Sequence, residues 1–125
     1  MTTTIEWAPF TLAPGTDDAA LLQASADLQA DFLARQPGFV RRDLLKGADG
    51  QWIDLVYWDS PGAAEAAMQR AATSPVCHRY FQLMTAADHD PGAGVSLFSL
   101  IREYSAEDAG PGAGSHSDGG GAGSG

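Results

Sequence analysis

The 125-residue chain sets 16 acidic side chains against 7 basic ones, a formal charge of −9, and so lacks the clustered cations that hold a nucleic-acid backbone or an anionic membrane surface. No apolar run approaches the roughly 20 residues that span a bilayer, and the opening Met1-Thr2-Thr3-Thr4-Ile5-Glu6 has no basic stretch leading into an apolar one. A hydrophobic content of 44% supplies one core, and the single Cys77 makes neither an internal disulfide nor a cysteine-rich metal site, so the expectation is a cytoplasmic protein with no nucleic-acid or membrane partner.

From Thr3 to Leu12 the sequence alternates and is rich in Thr, Ile, Trp and Phe, the pattern of a strand, with Pro9 confined to an edge or a bulge. Ala13-Pro14-Gly15 ends it. Thr16, Asp17 and Asp18 then offer caps for a helix running to about Arg35, in which Leu21, Leu28 and Phe32 share a face widened by Leu22, Ala24 and Leu33. Gln36-Pro37-Gly38 breaks that helix. Phe39 to Lys46 reads as a second strand that turns through Gly47–Gly50 into a third, Trp52 to Trp58, the apolar centre of the chain. Ser60 with Pro61, and Ser74 with Pro75, each place a cap before a proline at the first helical position, so an alanine-rich helix and a short one from about Val76 to Met84 follow. Asp88 to Gly94 reads as loop and Val95 to Tyr104 as the last strand. The order β-α-β-β-α-(α)-β is that of an α+β, ferredoxin-like domain over residues 1–104. Residues 105–125 hold Gly, Ala, Ser and Asp with no large apolar side chain, a composition expected of a disordered tail.

Alternation sorts the third strand into two sets: Trp52, Asp54, Val56 and Trp58 point one way, and Ile53, Leu55 and Tyr57 the other. Both sets are largely apolar, whereas the helices of this topology cover one face of the sheet only. The second face needs its own cover, and the simplest is the same face of a second copy, giving a two-fold dimer; alternation leaves open which set the helices cover, and the expected interface is Ile53, Leu55 and Tyr57.

Phe39 following Gln36-Pro37-Gly38, the strand entry Gly50-Gln51-Trp52, and Tyr57-Trp58-Asp59-Ser60 followed by an alanine-rich helix together resemble the antibiotic biosynthesis monooxygenase-like (ABM) proteins of the dimeric α/β-barrel superfamily. The resemblance covers nearly all of the expected domain. It implies a dimeric barrel, and either a cofactor-free oxygenase of aromatic polyketides or one of the other activities that the superfamily hosts. The polyketide oxygenases line their pocket with a tryptophan at the end of this strand, which Trp58 matches. Their asparagine four residues earlier is Asp54 here, their tyrosine six residues later is Ala64, and their arginine on the following short helix falls at His78. The haem-degrading branch places its axial histidine at about Phe81 and its tryptophan at about Ala71, so haem degradation is not expected and no cofactor is implied.

These matches give a candidate site. Asp54, Trp58 and Trp52 share a strand face with Val56, and a nearby carboxylate orients and charges an imidazole, so Asp54 with His78 forms a candidate base for an acidic phenol or enol. Trp52, Val56 and Trp58 supply the apolar slot for a small hydrophobic or aromatic molecule. Each residue also has a structural reading: Trp58 as core, Asp54 as the partner of Arg41 or Arg42, and His78 as a solvated or capping side chain. Tyr80 and Arg79 read as surface or dimer contacts, Cys77 as a small buried hydrophobe, and Glu6, between Ile5 and Trp7, fits either face. His89 and His116 carry no spacing signal. The competing function is a non-catalytic dimeric module that binds a hydrophobic ligand or a partner protein.

Overall fold

The computed structural model describes residues 2–85 and 94–110. Strand β1 (Thr4–Thr11) leads to helix α1 (Asp18–Asp31), followed by β2 (Phe39–Lys46), β3 (Gln51–Trp58), α2 (Pro61–Ala71), α3 (Pro75–Phe81) and β4 (Ser96–Ser99). The four strands form one antiparallel sheet in the order β2-β3-β1-β4, the ferredoxin-like arrangement expected from the sequence. Among the described residues no helix is long and apolar enough to cross a membrane.

The helix starts follow the capping chemistry. Asp17, Ser60 and Ser74 each accept a backbone N–H three residues ahead, from Ala20, Ala63 and Cys77, with Pro61 and Pro75 at the first helical positions. In α1 the buried stripe is Leu21, Ser25 and Leu28, continued by Phe32 and Leu33, while Leu22 lies outside it, exposed. The connection into β2 depends on Gly38, whose φ is +85° and whose carbonyl accepts from Asp59 N at 2.9 Å. A Cβ there would sit 2.6 Å from both the Ala63 Cβ and the Asp59 Oδ1, so this closely approached corner admits only glycine.

Pro9 lies in an interior strand yet breaks no ladder. β4 pairs with β1 only from Thr4 to Trp7, so at Pro9 the sole strand neighbour among the described residues is β3, at Ile53. The last strand is shorter than the sequence suggests. Leu100 N already bonds Thr3 O, one residue before β1 begins, so Ile101 and Tyr104 have no strand beside them among the described residues and are exposed. Ser105 caps a single turn at Ala106–Asp108, fully at the surface. Of the expected loop at 88–94 and the expected tail at 105–125, residues 88–93 and 111–125, with His89 and His116, lie outside the described residues.

Burial separates the two faces of β3. Trp52, Asp54, Val56 and Trp58 are buried beneath the helices, while Ile53, Leu55 and Tyr57 are half-exposed on the open side. Ile5, Trp7, Leu45 and Phe98 join them through the register, Trp7 opposite Leu55 and Ile5 between Tyr57 and Phe98. The open face of the single chain is thus apolar, with Trp7, Leu45 and Phe98 each more than a third exposed.

Candidate functional site

One register row of the sheet runs Arg42 (β2), Val56 (β3), Glu6 (β1) and Leu97 (β4), all on the face beneath the helices. Arg42 reaches that face because β2 carries a bulge at Val40: Phe39 pairs with Trp58, yet Arg41 pairs with Tyr57, so one extra residue flips the parity of the rest of the strand. Arg41 consequently lies on the open face, over the Tyr57 ring at 4.4 Å and hydrogen-bonded to Asp43, while Arg42 turns inward.

Above this row, between sheet and helices, lies a cavity of about 90 Å³ that opens to solvent. Its apolar wall includes Phe10, Leu28, Phe32, Met68, Phe81 and Met84. Its polar side chains are Glu6, Arg42, Asp54, Trp58 and Tyr80. Arg42 and Asp54 form a buried ion pair, Nε to Oδ1 at 2.8 Å, with 6% and 10% of the side chains exposed. Two further bonds engage the other guanidinium nitrogens: Nη1 donates to the Ser25 carbonyl at 3.2 Å and Nη2 to the Tyr80 hydroxyl at 3.0 Å. Tyr80 in turn donates to Asp54 Oδ2 at 2.6 Å. The three side chains thus form a closed triangle in which the carboxylate has two donors and the phenol both gives and accepts.

Burial, reinforced by the negative charge of Asp54, pushes the Tyr80 phenol well above its ordinary range, so it stays protonated and acts as a donor. Burial works against the Arg42 charge, but Asp54 and Tyr80 outweigh it and the guanidinium is held more firmly protonated. Glu6 differs from Asp54. Among the described residues its hydrogen-bond donor is Trp58 Nε1, at 3.0 Å to Oε1, and no Lys or Arg forms an ion pair with it. Burial raises its proton affinity above that of an ordinary glutamate; the indole bond opposes the rise and the nearby Asp54 adds to it.

The residues expected from the sequence divide accordingly. Asp54, Val56 and Trp58 line the cavity. Trp52 is buried but stands behind the wall, stacked on Phe10 at 6.4 Å. His78 is not near Asp54. α3 buries Val76, Cys77 and Tyr80, and that helical spacing turns His78 and Arg79 outward, where the His78 ring meets the Ala72 carbonyl at 2.7 Å. The partner of Asp54 is Arg42, one of the two arginines considered for it, together with Tyr80. Tyr80, expected at the surface, is 1% exposed. Glu6 and Tyr80 are the polar groups that sequence reasoning passed over. The signal for Tyr80 was present in the stripe Val76, Cys77, Tyr80, Phe81 and Met84, whereas Glu6 required the pairing register. Cys77 is a buried cavity-wall residue, its thiol pushed up by burial, as a small hydrophobe would be.

The backbone and helix arrangement recur in solved structures. SnoaB, a cofactor-independent oxygenase from Streptomyces nogalater, superposes with a TM-score of 0.65 at 24% identity, over 82% of this chain and 97% of that one. A protein from Bordetella bronchiseptica with the provisional name of antibiotic biosynthesis monooxygenase gives 0.64 at 12% identity, over 83% and 100%. The chain has the ABM-like fold. A dimeric ferredoxin-like protein of unknown function from Jannaschia sp. shares it at a TM-score of 0.53 and 14% identity, over 78% and 97% of the two chains. No family model matches the sequence, and no curated protein matches it. Within the ABM-like fold, this chain places its ion pair, indole and unpaired carboxyl group around one cavity.

Proposed function

We propose that the protein is a cofactor-independent monooxygenase-like enzyme acting on a small aromatic or polyketide-like molecule in the cavity between sheet and helices. Glu6 carries this reading: a carboxyl group beside an indole, facing an apolar cavity, with raised proton affinity and no cation paired to it among the described residues. A base poised above the ordinary glutamate range takes a proton from an acidic phenol or enol more readily than a solvated one. The substrate anion then supplies the electrons for dioxygen, so that a ring CH₂ and O₂ become C=O and H₂O with no external reductant. Val56, Trp58 and the Phe and Met side chains of the wall keep water away from that anion. Asp54 is tied to Arg42 and Tyr80 and serves to hold the Tyr80 and Arg42 donors in place at the cavity wall. The working unit is residues 1–104, paired with a second copy through Ile53, Leu55 and Tyr57, with residues 105–125 outside it. The likeness to a cofactor-independent oxygenase of the same fold supports the reaction class.

The test is dioxygen uptake by the purified protein against a panel of one- to three-ring phenols and anthrones, with product masses measured in ¹⁸O₂. Uptake with one labelled oxygen in the product, reduced at least ~100-fold in Glu6→Gln, is the expected result. Ligand retention without any uptake across the panel would replace it with the non-catalytic binding module.

A further inference from the structure

The cavity contains a charge asymmetry that bears on which molecules it accepts. Two carboxyl groups line it, Glu6 and Asp54, against one cation, Arg42. All three Arg42 nitrogens are already engaged, with Asp54 Oδ1, the Ser25 carbonyl and the Tyr80 hydroxyl. The remaining donors are engaged as well: Tyr80 gives its proton to Asp54, and the Trp58 indole gives its own to Glu6. Other basic side chains are directed elsewhere. Lys46 pairs with Asp18 at 2.6 Å, and Arg41 lies on the open face of the sheet with Tyr57 and Asp43. Two of the five Arg42 N–H groups are left over, but they belong to a guanidinium whose charge Asp54 already neutralises, so a ligand anion meets the charge of Glu6 with no unpaired cation among the described cavity residues to offset it. A ligand hydroxyl meets Glu6, of which only Oε1 is engaged among the described residues.

We infer that the cavity takes neutral, hydroxyl-bearing arenes and rejects their carboxylate counterparts, with Glu6 as the residue that sets this selection. The inference rests on the cavity being a ligand site, as in the proposed function, but not on any reaction with dioxygen. The titratable and charged groups that line the cavity with Glu6 are Asp54 from β3, Arg42 from β2, and Tyr80 and Cys77 from α3; the cavity residues from α1 and α2, and Val95 ahead of β4, are apolar. With Asp54 neutralised by Arg42 and Tyr80 held protonated, Glu6 is the one carboxyl whose charge an entering ligand senses. Size points to a compact ligand, since about 90 Å³ is less than the roughly 150 Å³ of a dry cavity that holds benzene, so larger arenes must extend through the open side.

Three fluorine-labelled probes separate the terms: 4-fluorophenol (neutral donor), 4-fluoroanisole (neutral, no donor) and 4-fluorobenzoate (anion), titrated at pH 8 by ¹⁹F NMR into the full chain. The phenol is expected to bind, the anisole ~10-fold more weakly through loss of one hydrogen bond, and the benzoate at least ~100-fold more weakly through like-charge juxtaposition. In Glu6→Gln the benzoate-to-phenol ratio of Kd should fall at least ~10-fold; Glu6→Met provides the same comparison should the amide not fold. Benzoate binding as tightly as phenol, a ratio unchanged in both variants, or no phenol binding at all would each overturn the inference. Charge-selective binding without oxygen uptake would keep the inference and remove the oxygenase reading. Uptake on carboxylate-bearing substrates as fast as on neutral ones would do the reverse.

Discussion

Replacing Arg42 by Met tests whether the Arg42–Asp54–Tyr80 triangle holds the cavity floor. The substitution keeps the length and apolar stem of the side chain and removes the charge. It leaves the Asp54 carboxylate, 10% exposed, with Tyr80 as its one remaining donor, and strips the Ser25 carbonyl and the Tyr80 hydroxyl of a donor each. Removing one partner of a buried pair costs about 3–5 kcal/mol, a large share of the roughly 5–15 kcal/mol available to a domain of this size. At a urea slope of roughly 2 kcal/mol per molar, the midpoint should fall by about 2 M. The double variant Arg42→Met with Asp54→Leu removes the unpaired charge too, and should recover most of the loss, leaving a coupling of at least about 2 kcal/mol in the cycle. Urea unfolding followed by tryptophan fluorescence reads all four corners. A loss below about 1 kcal/mol in Arg42→Met with unchanged slope, or a double variant as unstable as the sum of the singles, would refute the triangle as a coupled unit.

Glu6 makes stability depend on pH with a defined sign. Its folded proton affinity is raised, so the folded state binds the proton more tightly than the unfolded chain, and stability falls as pH rises from the ordinary glutamate value of 4.5 through the folded one. Glu6→Gln should therefore match the wild type in acid and melt above it at pH 8; equal melting temperatures across that range would show that Glu6 is solvated. Gly38→Ala should cost about 2–4 kcal/mol, combining a left-handed φ with overpacking against Ala63 and Asp59, and a circular-dichroism melt within a few degrees of wild type would place that corner wrongly. On the open face, Leu55→Asp should convert a dimer to a monomer or unfold it, because a buried unpaired charge costs several kcal/mol. Light scattering at micromolar concentration decides this, and a monomeric wild type or an intact variant dimer would reverse the interface assignment.

The elements were legible because their signals are local. Ser60-Pro61 and Ser74-Pro75 fix two helix starts within their own turns, and alternation in Trp52–Trp58 sorts the strand into two faces without knowledge of the rest of the sheet, although both sets are apolar and alternation alone leaves open which one the helices cover. The site was less legible because its residues are set by pairing. Regular alternation from Phe39, which packs inward on Trp58 at a ring distance of 5.8 Å, would send Arg41 inward and Arg42 outward; the bulge at Val40 reverses this, and two adjacent arginines hide the reversal. Glu6 sits between Ile5 and Trp7, so hydrophobicity on either side leaves its direction open until its register with Val56 is known. The pairing of Asp54 with His78 failed for a different reason. Position on the short helix was carried over from a resemblance, whereas the apolar spacing of Val76, Cys77 and Tyr80 already turned His78 away.

Two carboxyl groups on neighbouring strands thus acquire opposite characters from their surroundings. Asp54 faces a guanidinium and a phenol that cannot ionise at neutral pH, so its charge is fully used in holding the floor of the cavity. Glu6, one strand away in the row that Arg42 begins, has an indole for its donor and an apolar cavity around it, so its charge is the costly one and its proton the exchangeable one. The contrast lies in the partners: Asp54 is tied to two donors in the cavity wall, whereas Glu6 has one indole donor and no ion pair among the described residues. Asp54→Asn would remove the counter-ion of Arg42, and the other carboxyl group that lines the same cavity is Glu6. A pair of Arg42 with Glu6 would lower the Glu6 proton affinity, so on the proposed reading Asp54→Asn loses the base although Asp54 itself takes no proton from the substrate.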